Sequence, residues 1–200
     1  MALLGVFLLA ATSALLLGNT VKVNDVDVPE TLDLGEQKLV LNGAGTRTYF
    51  FIKAYVGALY LPRAEDLPEG DPLRENRRDG RAIIESDQPR AISLFITSDR
   101  ITRERMVEFI RDGFDQALGG DAGPLQDSVD ELLAAFHRKI REGDRVELIF
   151  TPEQGVEIRH NGDTVGQVKG EARFKQALFA IWLGKNPVQE SLRDAMLGQH

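Results

Sequence analysis

Residues 41–62 read LNGAGTRTYFFIKAYVGALYLP. The run TYFFIKAYVGALYL over 48–61 predicts a long strand. The corner Asn42-Gly43-Ala44-Gly45 ahead of it predicts a tight turn that closes a short strand over 38–41. Side chains on a regular strand alternate between two faces. Phe50, Ile52, Ala54, Val56, Ala58 and Tyr60 then form a packing surface, while Arg47, Lys53 and Tyr55 share the opposite face. A bulge between Arg47 and Lys53 breaks that parity, so the grouping holds for an unbroken strand.

Working outward, VKVNDVDV over 21–28 alternates as a half-buried strand does. Residues 62–81, rich in Pro, Gly, Arg and Asp, read as a solvated loop, and AISLFIT over 91–97 as a further strand. A helix over 102–118 is predicted by Met106, Phe109, Ile110, Phe114, Ala117 and Leu118 at helical spacing. A second carries Val129, Leu132, Leu133, Phe136 and Ile140 on one side, with Ser128 and Glu131 as a capping box at its start. Strands over 145–151 and 156–160 follow, and Asn161-Gly162 predicts a two-residue hairpin returning through 164–168. A third helix over 171–183 ends at Gly184. A fourth opens at Asn186-Pro187, with proline in the first helical position, and closes at Gly198. Strands and helices are segregated rather than alternating, which favours an α+β fold built on an antiparallel sheet.

Residues 2–18, ALLGVFLLAATSALLLG, are uncharged and almost wholly apolar. As a helix they would span roughly 25 Å, slightly short of a bilayer core. The preferred reading of residues 1–20 is a secretory signal peptide, which places the protein in the periplasm or outside the cell. A short membrane anchor is the alternative. No Lys or Arg precedes the apolar run, and Thr12 and Ala14 give only a loose small-x-small cleavage pattern. One domain is expected over 21–198.

Composition removes several functions. The net charge is −7, the wrong sign for a nucleic-acid binder. The absence of cysteine excludes thiolate nucleophiles, disulfides and thiolate-bound zinc. His137, His160 and His200 are far apart and no carboxylate cluster accompanies them, so no metal site is expected. Gly43-Ala44-Gly45 lacks the third glycine and the following helix of a dinucleotide fingerprint, and no Gly-x-Ser-x-Gly elbow occurs. No cofactor is expected.

Two stretches carry a family resemblance: LNGAGTRTYFFIKAYVGALYLP at 41–62 and FKQALFAIWLGKNPVQESLRDAMLG at 174–198. The first resembles the Gly-x-Gly-x-Arg turn and following strand of the chalcone isomerase-like family, in its bacterial, signal-peptide-bearing branch. The second resembles that family's C-terminal helix pair with its Leu-Gly-Lys-Asn junction. The resemblance implies an open-faced β-sandwich, a long antiparallel sheet covered on one side by helices, with a ligand cleft between the two layers. True chalcone isomerases close a ring there by intramolecular oxa-Michael addition, whereas plant relatives without that activity bind fatty acids.

Carried over residue by residue, the cleft arginine of the enzymes matches Arg47. Their water-orienting threonine falls at Tyr55, their catalytic tyrosine near Arg103, their phenol-contacting asparagine near Ile110, and their C-terminal Ser or Thr near Ile181. Only the arginine is kept, and no tyrosine follows Tyr60 to replace the catalytic phenol. The resemblance therefore implies a non-catalytic binder of a small amphipathic anion, a fatty acid or a polyphenol. A chalcone–flavanone isomerase-like intramolecular lyase is the alternative, with Arg47 and Tyr55 as its catalytic candidates. A third reading makes the cleft the seat of a protein partner. Arg47 is suited to clamping a carboxylate or phenolate, because its planar fork stays protonated and offers several donors. The candidate ligand-binding set is Arg47, Phe51, Lys53, Tyr55, Arg103, Ile110 and Ile181. Contact with a membrane is expected only through the N-terminal segment, if it is retained.

Overall fold

The computed structural model describes residues 18–35, 37–120 and 123–199, so all but the end of the apolar N-terminal stretch lies outside the described residues, as does His200. Strands β1 (Thr20–Val23) and β2 (Val26–Pro29) form a hairpin where the alternation over 21–28 predicted one strand. Asn24 makes the turn at φ 47°, a left-handed conformation that asparagine adopts more readily than most residues.

The main sheet is a seven-stranded antiparallel meander of β3 (Thr31–Asp33), β4 (Lys38–Tyr49), β5 (Ile52–Leu61), β6 (Arg90–Ile96), β7 (Arg145–Thr151), β8 (Gly155–His160) and β9 (Asp163–Val168), adjacent in that order. The β8–β9 turn is the expected Asn161-Gly162, both at positive φ. Its helices are α1 (Gly80–Glu85), α2 (Arg103–Leu118), α3 (Gln126–Ala135), α4 (Ala172–Leu183) and α5 (Glu190–Met196). α2 packs on α4, α5 lies on β4 and β5, and α3 meets β9. The α+β architecture inferred from the segregated pattern is the one observed.

Between the sheet and the helices lies the larger core, with Leu59, Ile92, Leu94, Leu148, Phe174 and Phe179 fully buried. Each such side chain stabilises the fold by about 1.5–3 kcal/mol relative to exposure. A second, smaller cluster covers the opposite face of the sheet, where Val56, Ala58, Tyr60 and Ile149 pack with Val28 and Leu39. The Tyr60 hydroxyl donates to the Pro29 carbonyl over 2.9 Å and pins the β1–β2 hairpin there. Both faces of β5 are therefore buried, which corrects the expectation of a single packing surface on its even positions.

Other boundaries also moved. α3 starts ahead of Ser128 and has no side-chain cap at its N-terminus, so the capping box at Ser128 and Glu131 does not form. It ends at Ala135, and Phe136 and Ile140 are buried from the segment that follows. α5 starts at Glu190, three residues past Pro187, with Gln189 in the N-cap position. The predicted loop over 62–81 leads into α1, which the sequence did not suggest, capped by Asp79 accepting from the Arg81 amide at 2.8 Å. The corner from α1 into β6 is held by a buried guanidinium. Arg90 donates to the carbonyls of Ile84, Ser86 and Gln88 and lies between the rings of Phe150 and Phe179, 4.8 and 4.7 Å from their centres. Burial lowers its pKa to about 10, so it remains charged at neutral pH.

Candidate functional site

The β4–β5 hairpin turns at Phe50-Phe51, not at the glycine-rich corner. Gly43 and Gly45 lie inside β4 because α5 passes directly over them. A Cβ at Gly43 would stand 2.2 Å from the Ala195 carbonyl oxygen, and one at Gly45 would stand 2.6 Å from the Ala195 Cβ. These glycines serve close backbone approach rather than a turn.

Arg47 stands directly opposite Tyr55 in the antiparallel register. The two share the helix-side face because they are cross-strand partners, and not because they alternate along one strand. Immediately beyond this pair the register shifts, with Thr48 opposite Lys53. That bulge breaks the parity and turns Lys53 to the other face of the sheet. There its Nζ donates to Asn24 Oδ1 at 3.3 Å, and the Asn24 amide in turn bonds the Thr46 hydroxyl. Lys53 is thus separated from Arg47 and Tyr55 by the sheet itself.

Arg47, Tyr49 and Tyr55 form the sheet side of a partly open cavity of about 180 Å³. α2 contributes Met106, Phe109, Ile110 and Gly113 to its walls, and Ile181, Trp182 and Val188 close it. Asp112 and Gln116, both exposed, complete the lining at the rim. Gly113 lets α2 and α4 cross closely, since a Cβ there would lie 2.6 Å from Ile181 Cγ2. Wider hollows of about 700, 670 and 740 Å³ occur on the exterior, and neither Arg47 nor Tyr55 lines any of them.

Four of the sequence candidates, Arg47, Tyr55, Ile110 and Ile181, meet in this cavity. Three do not. Lys53 faces the opposite side, as described. Phe51 sits at the hairpin tip, fully exposed. Arg103 points from the start of α2 to the Phe136 carbonyl, which it holds by its Nε, and pairs with Glu104 at 3.6 Å.

Trp182 Nε1 donates to the Tyr55 hydroxyl over 3.0 Å. The phenol oxygen acts as acceptor, which leaves its own proton to be directed into the cavity. Burial raises the Tyr55 pKa, and the Trp182 bond and the Arg47 charge pull it down by less. Tyr55 is therefore a neutral donor at physiological pH. Arg47 is half-buried, and its Nη1 reaches Gln189 Oε1 at 3.2 Å and the Thr48 carbonyl at 3.4 Å. The same Gln189 oxygen accepts the Thr48 amide at 2.9 Å, while its nitrogen donates to the Thr46 carbonyl at 3.2 Å and to Ser191 Oγ at 2.7 Å. One N-cap side chain thus straps α5 to β4 and orients the guanidinium.

Sequence reasoning missed Gln189 because the fourth helix was started at Pro187, which hid the N-cap. Trp182 falls within the apolar pattern of the third helix, which gives no sign that its indole N–H has a partner. Nothing in the spacing pointed to Gly113.

The chalcone isomerase-like family model matches residues 20–198. The chain belongs to the chalcone isomerase-like family. Among solved structures it is similar to an Arabidopsis thaliana fatty-acid binding protein, with a TM-score of 0.65 and 18% sequence identity, over 86% of this chain and 92% of that one. At that identity the likeness shows the fold. A comparison with curated proteins finds no match by sequence. Among the described residues of this family member, no group of three or more His, Cys, Asp or Glu could hold a metal ion, and no helix is long and apolar enough to cross a membrane.

Proposed function

We propose that the protein binds a small amphipathic acid, with the acid group on Arg47 and Tyr55 and the apolar part against Ile110, Ile181 and Phe109. One observation carries this reading. A cation and a neutral phenol stand side by side in a cavity whose remaining walls are apolar except for Asp112 and Gln116 at the rim. A carboxylate there receives a charge-assisted bond from the guanidinium and a second bond from the Tyr55 proton. The name of the similarly folded plant protein, a fatty-acid binder, supports the same ligand class.

The cavity volume narrows the choice. At about 180 Å³ it equals roughly six water volumes of ~30 Å³ each, below the roughly 300–1,000 Å³ typical of pockets that enclose a drug-sized ligand. A medium-chain acid such as octanoate fits this reading best. The apolar stretch at 2–18 is read as an export signal, so the ligand would be met in the periplasm or outside the cell.

Protein stripped of lipid, mixed with octanoate and octanol at equal concentrations and examined by native mass spectrometry, tests the reading. Retention of the acid over the alcohol is expected, and equal retention contradicts it. The isomerase alternative is weakened by the burial-raised pKa of Tyr55, which keeps the phenol from serving as a base at neutral pH. Turnover of naringenin chalcone above the rate in buffer would restore it.

A further inference from the structure

 Phe50 and Phe51, adjacent at the turn of the β4–β5 hairpin, are 78% and 100% exposed. Phe50 also takes φ 53°, a left-handed conformation that a bulky aromatic residue rarely adopts. The turn thus holds two of the chain's largest apolar side chains in water, at a backbone cost.

The tip is continuous with the cavity. The Phe50 ring meets Tyr49 edge-on at 4.7 Å, and Tyr49 lies 5.0 Å from Phe109. Tyr49 and Phe109 both line the cavity, so an unbroken aromatic path runs from the exposed tip to its wall. Cations flank that path. Arg47 and Arg105 each lie 6.0 Å from the centre of the Tyr49 ring. Acidic groups are present too, with Glu108 paired to Arg105 at 2.8 Å and Asp112 at the rim.

We propose that the Phe50-Phe51 tip docks in a lipid bilayer surface, presenting the mouth of the cavity to the membrane for transfer of an amphipathic acid. Phenylalanine at the depth of the acyl chains, with tyrosine and cations at headgroup level, is the arrangement that favours interfacial binding. The size of the patch argues against a protein partner. Two aromatic side chains bury at most about 150–250 Å² each, far below the roughly 1,200 Å² of a stable protein interface. The transfer role rests on the cavity reading above, whereas docking stands on the tip alone.

The absence of cysteine permits a direct test. Phe51→Cys in the full chain is labelled with an environment-sensitive nitrobenzoxadiazole dye, and Glu69→Cys, beyond the other end of β5, serves as the control. Both proteins are mixed with phosphatidylcholine vesicles, with and without phosphatidylglycerol, carrying brominated acyl chains. The label at 51 should shift to the blue and be quenched by the bromines, while the label at 69 should not. The comparison of depths discounts any attachment through the apolar N-terminal stretch, which both proteins share. Phe50→Ser combined with Phe51→Ser should slow transfer of a fluorescent fatty acid from vesicles about tenfold, with octanoate affinity in solution unchanged. A label at 51 that stays in water with both vesicle compositions overturns the proposal, as does its burial in a dimer without lipid. Loss of octanoate binding in the unaltered protein would instead strike the cavity reading, with the depth of the tip still measurable.

Discussion

Trp182 and Tyr55 join the helix layer to the sheet through one hydrogen bond, 3.0 Å from the indole nitrogen of α4 to the phenol oxygen of β5. Both side chains are buried, at 2% and 3% exposure, so the bond forms away from bulk water. Tyr55→Phe strands the indole N–H and should cost about 1–3 kcal/mol of stability. Trp182→Phe removes the donor and opens space, and should cost at least as much. In a double-mutant cycle followed by urea denaturation and circular dichroism, the pair should show a coupling of about 0.5–1.5 kcal/mol. Strict additivity would mean that the bond contributes nothing to the fold.

The two glycines under α5 make different demands. Gly45→Ala places a methyl against the Ala195 side chain, and Gly43→Ala places one against the Ala195 carbonyl. Each should destabilise by about 1–3 kcal/mol. Ala195→Gly should recover much of the Gly45→Ala loss and little of the Gly43→Ala loss, because only the first clash is with a side chain. Melting temperatures of the three single variants and the two combinations check this.

Alkaline pH should reveal two protected phenols. Burial raises the pKa of both Tyr55 and Tyr60 above the ordinary tyrosine value near 10. The folded state therefore holds these protons more tightly than the unfolded chain. Their contribution to stability is complete below about pH 10 and is lost as pH rises toward the folded-state values. Phenolate absorbance from Tyr55 and Tyr60 should appear together with loss of the helical circular dichroism signal. Tyr55→Phe should remove part of the steep fall in stability above pH 10. Ionisation of both phenols in a still-folded protein would contradict this account.

The fold class was readable because it depends on coarse patterning. Segregated strands and helices, the helix over 102–118 and the Asn161-Gly162 turn all follow from local periodicity or turn chemistry. The central hairpin was misread for a physical reason. Gly43 and Gly45 have the composition of a turn, yet their lack of side chains serves a helix about 150 residues away in sequence. The true turn, Phe50-Phe51, carries none of the residues that usually reverse a chain. Arg47 and Tyr55 were grouped correctly but by the wrong route, through alternation instead of cross-strand pairing. The same bulge that the grouping depended on separates Lys53 from them. Gln189 and the Trp182 donor were invisible because their roles depend on tertiary contacts that no spacing encodes.

The central claim is that Arg47 provides the anion-binding charge of the cavity. Trp182 is the only tryptophan and lines that cavity, so its emission reports occupancy. Octanoate titrations of the unaltered protein, Arg47→Lys and Arg47→Ala should show affinity falling in that order. Loss of a charge-assisted bond of about 1.5–3 kcal/mol weakens binding roughly 10- to 100-fold in Arg47→Ala. The melting temperature should change little, since the guanidinium is half-exposed. Equal octanoate affinity in Arg47→Ala and the unaltered protein would contradict the account.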